Sequence, residues 1–261
     1  MSENKLIIVP DVHGRRFWEI VKKFKNNQIV FLGDYLDPYT QIEGIEMTQA
    51  IDNFKEILEF AEENKNNVTL LYGNHDSSYA FKDPNLCICR YDRLNHFQCE
   101  TLFDDYRHLF KFAYDTTING NKYLLTHAGV NPFWVRAHGE LFKPDFKYTA
   151  NELNKIPISD LICPLCDIGL YRGGWNGWSS FIWSDIKEHI IDVKKMSGIG
   201  NFMVPEKLIQ IVGHTWLQHP ICFDCTVYKV FCLDIGTDVF YLDEKGNIHY
   251  LSDDKVVETK S

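Results

Sequence analysis

"VTLLYGNHDSSYA", residues 68–80, joins a short apolar run to Gly73-Asn74-His75-Asp76. Val68 to Tyr72 has the composition of a buried strand. Beyond Gly73 the chain sets an amide, an imidazole and a carboxylate side by side. Glycine, asparagine and aspartate are turn formers, so a plain turn with Asp76 or Ser77 capping the next helix would account for this stretch alone. A chemical reading requires the same arrangement elsewhere in the chain.

It recurs. "KLIIVP" (5–10) reads as a strand leading into Asp11-Val12-His13-Gly14, and "QIVFLG" (28–33) as a second strand leading into Asp34-Tyr35-Leu36-Asp37. "RRFWEIVKKFK" (15–25) has helical spacing, with Phe17, Ile20, Val21 and Phe24 on one face. "IEMTQAIDNFKEILEFAEEN" (45–64) is an amphipathic helix whose stripe is Ile45, Ile51, Phe54, Leu58 and Ala61. Three strand–loop–helix units thus place polar residues just past the carboxyl ends of strands, where ligands bind in open α/β sheets. Such alternation predicts a largely parallel first sheet.

The second half is less regular. "QCETLFDDYRHLFKFA" (98–113) reads as helix, and "DTTINGNKYLLTHAG" (115–129) as a hairpin whose second strand ends at His127. Proline, glycine and aromatics break the pattern from about 131 to 180, predicting short helices in a cap-like segment. "EKLIQIVGHTW" (206–216) is a further apolar run ending at His214, and 219–251 reads as antiparallel strands with turns at Gly236 and Glu244-Lys245-Gly246. No repeat or linker interrupts the chain, so a single domain over 1–261 is expected.

With 261 residues, 45% apolar and 24% charged, the chain has the make-up of a soluble globular protein. Its net charge of −9 opposes non-specific attachment to nucleic acid polymers or anionic membranes. The N-terminus lacks a cationic, apolar leader, and no long apolar run could span a bilayer, so a cytoplasmic location is expected. The eight cysteines include Cys163-Pro-Leu-Cys166 and Cys222-Phe-Asp-Cys225. These pairs lie too far apart for a zinc ribbon, and reduced, mostly buried thiols are the expectation. Oligomeric state is not encoded in any pattern here.

Collected, the strand-end groups are Asp11, His13, Asp34, Asp37, Asn74, His75, His127 and His214. All but Asp37 and His75 are good ligands for divalent ions: carboxylate, amide oxygen and neutral imidazole. Carboxylates crowded into one cleft need raised pKa values or a compensating cation, and two divalent ions bridged by one carboxylate supply it.

The series Asp11-x-His13, Gly33-Asp34-x-x-Asp37, Gly73-Asn74-His75-Asp76, His127 in "THAGV" and His214 in "VGHT" resembles the calcineurin-like metallophosphoesterases, and within them the phosphoprotein-phosphatase branch. That branch includes bacterial and phage protein phosphatases and symmetrical dinucleoside tetraphosphatases. The resemblance implies a four-layer αββα sandwich of two mixed sheets. It implies two divalent ions (Mn, Fe or Zn), with Asp11 and His13 on one, Asp34 bridging, and Asn74, His127 and His214 on the other. His75 would be the general acid, Asp37 its partner, and a metal-bridging hydroxide the nucleophile. The implied reaction is hydrolysis of a phosphomonoester, on a phosphoprotein or a small phosphorylated substrate. Dinucleoside polyphosphate hydrolysis is the alternative, and a catalytically silent phospho-ligand-binding protein is the alternative of another class.

Two departures stand out. The protein-phosphatase pattern continues Asp-Arg-Gly, with the arginine on phosphate, where this chain has Asp37-Pro38-Tyr39. Arg172 in "GLYRGGWNGW" resembles an Arg-Gly-Gly segment of bacterial members and is a candidate for substrate binding, or else for a structural pair. The second departure is Trp216, where many phosphodiesterases of the superfamily carry a second metal-binding histidine. Trp175, Trp178 and Trp183 are expected to pack, with Trp178 or Tyr39 able to stack on an aromatic group of a substrate.

Overall fold

The computed structural model describes residues 5–86, 90–142, 148–190, 208–224 and 228–257. The chain forms two compact units, Met1–Lys111 with Ile235–Val256, and Phe112–Asp234 with Val257–Ser261. Nothing in the sequence pattern marks this division, because the first crossing, between Lys111 and Phe112, falls at the end of a stretch that reads as helix and not in a linker.

The first unit is built on a six-stranded mixed sheet. β1 (Leu6–Val9), β2 (Gln28–Phe31), β3 (Val68–Leu71) and β4 (Phe110–Lys111) run parallel, as the alternation predicts. β10 (Phe240–Leu242) pairs antiparallel with β1, and β11 (Ile248–Tyr250) with β10. β1 and β3 are buried throughout, which is why both read as unbroken apolar runs. The hairpin of β10 and β11 supplies the antiparallel edge.

The intervening helices differ from the sequence pattern in detail. Residues Phe17–Phe24 form a 3₁₀ helix, whose three-residue turn buries Trp18 and Val21 and leaves Phe17, Ile20 and Phe24 partly exposed. The Trp18 indole N–H donates to Asn53 Oδ1 at 2.9 Å. After the short α1 (Thr40–Glu43), α2 (Met47–Glu63) starts two residues later than its apolar stripe, because the Gln49 side chain accepts from the Glu46 N–H at 2.8 Å and fixes the first turn. Its inner face, including Ile51, Phe54, Leu58 and Ala61, is buried as expected, and Ile45 stays outside the helix.

After β3 come α3 (Asn74–Phe81) and α4 (His96–Asp105). The helix expected over 98–113 ends early. A 3₁₀ turn at Arg107–Leu109 gives way to β4, where Phe110 stacks on Tyr72 (5.0 Å, 19°) and packs on Phe103 (5.1 Å). Burial of that ring cluster outweighs the local helical pattern.

The second unit carries a five-stranded mixed sheet, ordered β5-β6-β7-β9-β8. β5 (Ala113–Ile118) and β6 (Asn121–Thr126) form the expected hairpin, with Asn119 and Gly120 both left-handed (φ 49° and 76°), as a tight two-residue turn requires. β7 (Leu208–Val212) lies parallel to β6 and to β9 (Lys229–Cys232), and β8 (Ile221–Asp224) is antiparallel to β9. The tail therefore contains two antiparallel pairs that belong to different sheets. The 131–180 segment has the expected short helices: α5 (Pro132–Ala137), α6 (Ala150–Lys155) and α7 (Ile158–Leu165), with 3₁₀ turns at Gly139–Phe142 and Leu170–Arg172. α8 (Ile186–Ile190) precedes β7.

Cys99, Cys163, Cys166, Cys222 and Cys232 are free thiols. Cys163 is exposed, unlike the buried majority, and Cys225 lies outside the described residues. Among the described residues, clusters able to share an ion contain no cysteine, and no helix is long and apolar enough to cross a membrane.

His189 on α8 is wholly enclosed, 2.9 Å from the Tyr228 hydroxyl and 3.2 Å from Ala128 O. Burial pushes its pKa down from 6.5 to about 4. The folded value lies below the unfolded one, so as pH falls through 6.5 the unfolded chain takes up the proton first. This group should remove stability progressively between pH 6.5 and about 4. Denaturant titrations at several pH values should show the advantage of wild type over His189→Gln shrinking across that window; a constant difference would contradict the assignment.

Candidate metal centre

The first unit gathers its polar groups where β1, β2 and β3 end. The loop after β1 is stitched to the loop after β2 by main-chain bonds: Val12 and His13 N–H to Asp34 O (3.1 and 2.7 Å), and Gly14 N–H to Tyr35 O (3.1 Å). The loop after β3 is joined to the same place by Asp76. One carboxylate oxygen accepts from Asp34 N–H (2.7 Å) and Gly73 N–H (2.9 Å), the other from Tyr35 N–H (3.0 Å). Asp76 is fully buried and its pKa is raised by that burial, against the pull of its three donors. It does cap α3, as a turn reading would have it, and in doing so locks two strand ends together.

Close approach is built into the backbone. A Cβ on Gly73 would lie 2.1 Å from Asp34 Oδ1, so only glycine permits the contact. Asp34 Oδ1 accepts from His75 N–H at 2.9 Å, at the amino end of α3. His13, Asp34, Asp37 and His214 all have positive φ (45°, 54°, 56° and 63°). Such conformations cost about 1–3 kcal/mol each in non-glycine residues and concentrate at functional sites. Four of the seven described non-glycine residues with positive φ are thus among the sequence-derived candidates.

The charges are arranged for a cation. Asp11, His13, Asp34, Asp37 and Asn74 are all buried. His13 Nδ1 lies 2.9 Å from Leu36 O and 3.2 Å from Asp37 O; carbonyls only accept, so Nδ1 carries the proton and Nε2, 3.4 Å from Asp34 Oδ2, is the nitrogen with a lone pair to offer an ion. Burial, with the neighbouring His75 and Arg15, holds His13 well below its ordinary pKa, which keeps the imidazole neutral as a ligand must be. Burial, Asp11 and Asp76 push the Asp34 carboxyl well above the usual range. Ligand atoms of His13, Asp34 and His75 lie within 4.8 Å of one another. This donor set fits a divalent ion, which would relieve the charge that raises Asp34.

His75 is half-buried and faces Asp37, with Nδ1 2.9 Å from Asp37 Oδ2. The other oxygen of Asp37 accepts from the Tyr79 hydroxyl at 2.7 Å, and Tyr79 in turn accepts from Asp92 N–H at 2.8 Å. Tyr79 is absent from the sequence-derived set. The available signal was its position four residues after His75 on one helix, which puts both on the same face. Arg90, also missed, donates from Nη2 to Asp37 O at 2.8 Å and lies 3.8 Å from the centre of the Tyr39 ring.

The second unit brings His127 and His214 together. His127 Nε2 is 3.1 Å from His214 Nδ1, and His214 Nε2 is 3.2 Å from Trp183 O, which makes Nε2 the protonated nitrogen. Two ring nitrogens at that separation match adjacent ligands on one ion with bonds of about 2.1 Å. Arg172 supports this loop: it donates to His214 O (3.2 Å) and Thr215 Oγ1 (2.7 Å) and pairs through Nε with Asp185 (3.0 Å). Those contacts are of the structural kind. Trp183 is buried and Trp178 stacks on Phe133 (12° between planes), but Trp175 is 95% exposed and does not pack.

Residues 5–215 match the sequence profile of the calcineurin-like phosphoesterases. The chain belongs to that family. A cold-active protein-tyrosine phosphatase of a psychrophilic Shewanella species is a structural neighbour of this phosphoesterase, with a TM-score of 0.55 and 15% identity over 98% of this chain and 81% of that one. A second structure of a cold-active protein tyrosine phosphatase gives 0.51 and 14%, over 96% and 79%. At such identities the likeness concerns the fold, an α/β arrangement built on two mixed sheets. No curated protein sequence matches significantly. Family membership makes the chain a hydrolase by class, in a family that is metal-dependent, and the described residues include candidate ligand clusters.

The Asp76 clamp and the Gly73 contact make a joint prediction for this phosphoesterase. Asp76→Asn puts an amide against one of three N–H donors and should cost about 1–3 kcal/mol, read as a melting temperature several degrees lower. Gly73→Ala must displace Asp34 and should weaken metal binding by about 10–100-fold in equilibrium dialysis. Wild-type metal affinity in Gly73→Ala would show that Asp34 is not held for an ion.

Proposed function

We propose that the protein is a dinuclear metal-dependent phosphoesterase that hydrolyses phosphate monoesters, with His75 as general acid. The observation that supports this most is the 2.9 Å pairing of His75 Nδ1 with Asp37, set beside buried Asp11, His13 and Asp34. With Nδ1 donating to the carboxylate, Nε2 is the nitrogen that hands a proton to a leaving oxygen. Asp37, fixed by Tyr79, orients the ring. A scaffold that only bound a phospho-ligand would have no use for this pair.

In this reading Asp11 and His13 would hold one ion and Asn74, His127 and His214 the other, with Asp34 available to both; the motif order supports the assignment. Divalent ions, when bound, would offset the carboxylates and lower the pKa of coordinated water toward neutrality. The ligands do not choose among Mn, Fe and Zn. The substrate is a phosphorylated protein or small molecule in the cytoplasm.

One specific observation favours a second role for His75, since its ring shares a ligand cluster with His13 and Asp34. The two roles separate cleanly. As the acid, His75→Asn should lower kcat by about 10²–10⁴ for poor leaving groups and much less for an activated aryl phosphate. Metal content should not change. Asp37→Asn should act in the same direction, more mildly. If His75→Asn strips metal, or slows good and poor leaving groups equally, the acid role is wrong.

A further inference from the structure

A phosphate carries more negative charge than strand-end imidazoles and carboxylates can offset, and the sequence places Pro38, followed by Tyr39, where the resemblance implies a guanidinium. Two arginines lie near the strand ends of the first unit. Arg15 is consumed: Glu43 binds its Nε (3.0 Å) and Nη2 (2.7 Å). Arg90 is different. Its guanidinium lies over the Tyr39 ring at 3.8 Å, and Nη2 donates to Asp37 O at 2.8 Å. Among the described residues, no carboxylate pairs with it.

The placement is specific. Tyr39 touches the metal-ligand candidate His13 edge-on, with ring centres 5.0 Å apart, and His13 touches His75 in the same way at 5.0 Å. Arg90 therefore stands one ring away from His13, anchored to the main chain of the residue that orients His75. Its charge is felt at His13, where it helps to hold the imidazole neutral. Packing on Tyr39 and the bond to Asp37 O fix the plane of the guanidinium and leave further donors of its fork for an oxyanion. Lysine could not be held in that way.

We propose that Tyr39 and Arg90 together form the phosphate clamp of this protein, with Tyr39 as the platform and the Arg90 fork bonding the non-bridging oxygens of a phosphate monoester. The inference rests on the phosphoesterase reading for the identity of its ligand. A dianionic monoester gains more from the fork than a monoanionic diester, so the clamp also selects monoesters. Tyr39 thus holds an arginine from elsewhere in the chain beside Pro38, the position at which the resemblance implies one.

The test uses inorganic phosphate and the full-length, Mn-loaded protein, by calorimetry, so that it does not depend on turnover. Arg90→Met should weaken phosphate binding by about tenfold or more while metal content and melting temperature stay at wild-type values. Arg90→Lys, which keeps the charge without the fork, should fall between, and Tyr39→Leu should weaken binding less than Arg90→Met. In turnover, Arg90→Met should raise KM for a monoester more than it lowers kcat, and narrow the preference for monoester over diester. Phosphate binding within twofold of wild type in Arg90→Met, or none in wild type, overturns the clamp. Arg90-dependent phosphate binding without any ester hydrolysis would instead sink the enzymatic reading and leave the clamp standing.

Discussion

One buried carboxylate holds three main-chain N–H groups from two loops. Asp76 accepts from Gly73, Asp34 and Tyr35, and the loop carrying Asp34 is itself bonded to the loop carrying Asp11 and His13. Three parallel strands are thereby made to end at one point. The strands bring their carboxyl ends to the same edge of the sheet, but a strand end alone leaves a loop free to wander. With Asp76 in place, Asp34 is drawn against Gly73 closely enough that no side chain fits between them. The positive φ values of His13, Asp34 and Asp37 stem from the same constraint, since each residue turns sharply to keep its main chain in this network and its side chain in the cluster.

That convergence carries an electrostatic penalty which defines the site's chemistry. Asp34 is enclosed together with Asp11 and Asp76, and without a counter-charge it resists ionisation. The neutral His13 offers a lone pair but no positive charge. A divalent cation, when bound, would resolve both conditions, and further polar groups lie beyond the cluster. Asp37 orients His75, Tyr79 occupies the second oxygen of Asp37, and Arg90 ties down the Asp37 carbonyl. A hydrogen-bonded chain thus runs outward from the carboxylate cluster to the surface.

Much of this was readable in the sequence, because strand-end residues come directly after their strands. The parallel core of the first sheet, the β5–β6 hairpin and the convergence of Asp11, His13, Asp34, Asp37, Asn74 and His75 came from local pattern alone. Contacts brought about by folding were not readable. Tyr79 was hidden in a helix whose periodicity says nothing about Asp37. Arg90 comes from a stretch with no pattern of its own, and only its packing on Tyr39 marks it. Arg172 stood out beside its glycines, yet its contacts hold the His214 loop. The helix pattern through Phe110 was overridden by aromatic burial, and Phe17–Phe24 changed its buried face because a 3₁₀ turn repeats every three residues.

The central claim is that the strand-end cluster exists to hold two metal ions around Asp34. Crystals grown with excess Mn²⁺, with diffraction recorded above the manganese absorption edge, test it directly. The account predicts two anomalous peaks about 3.5–4 Å apart, with the Asp34 carboxylate contacting both and His13 Nε2 on one. An absence of anomalous density within bonding distance of Asp34, or manganese held only at the surface, would contradict it.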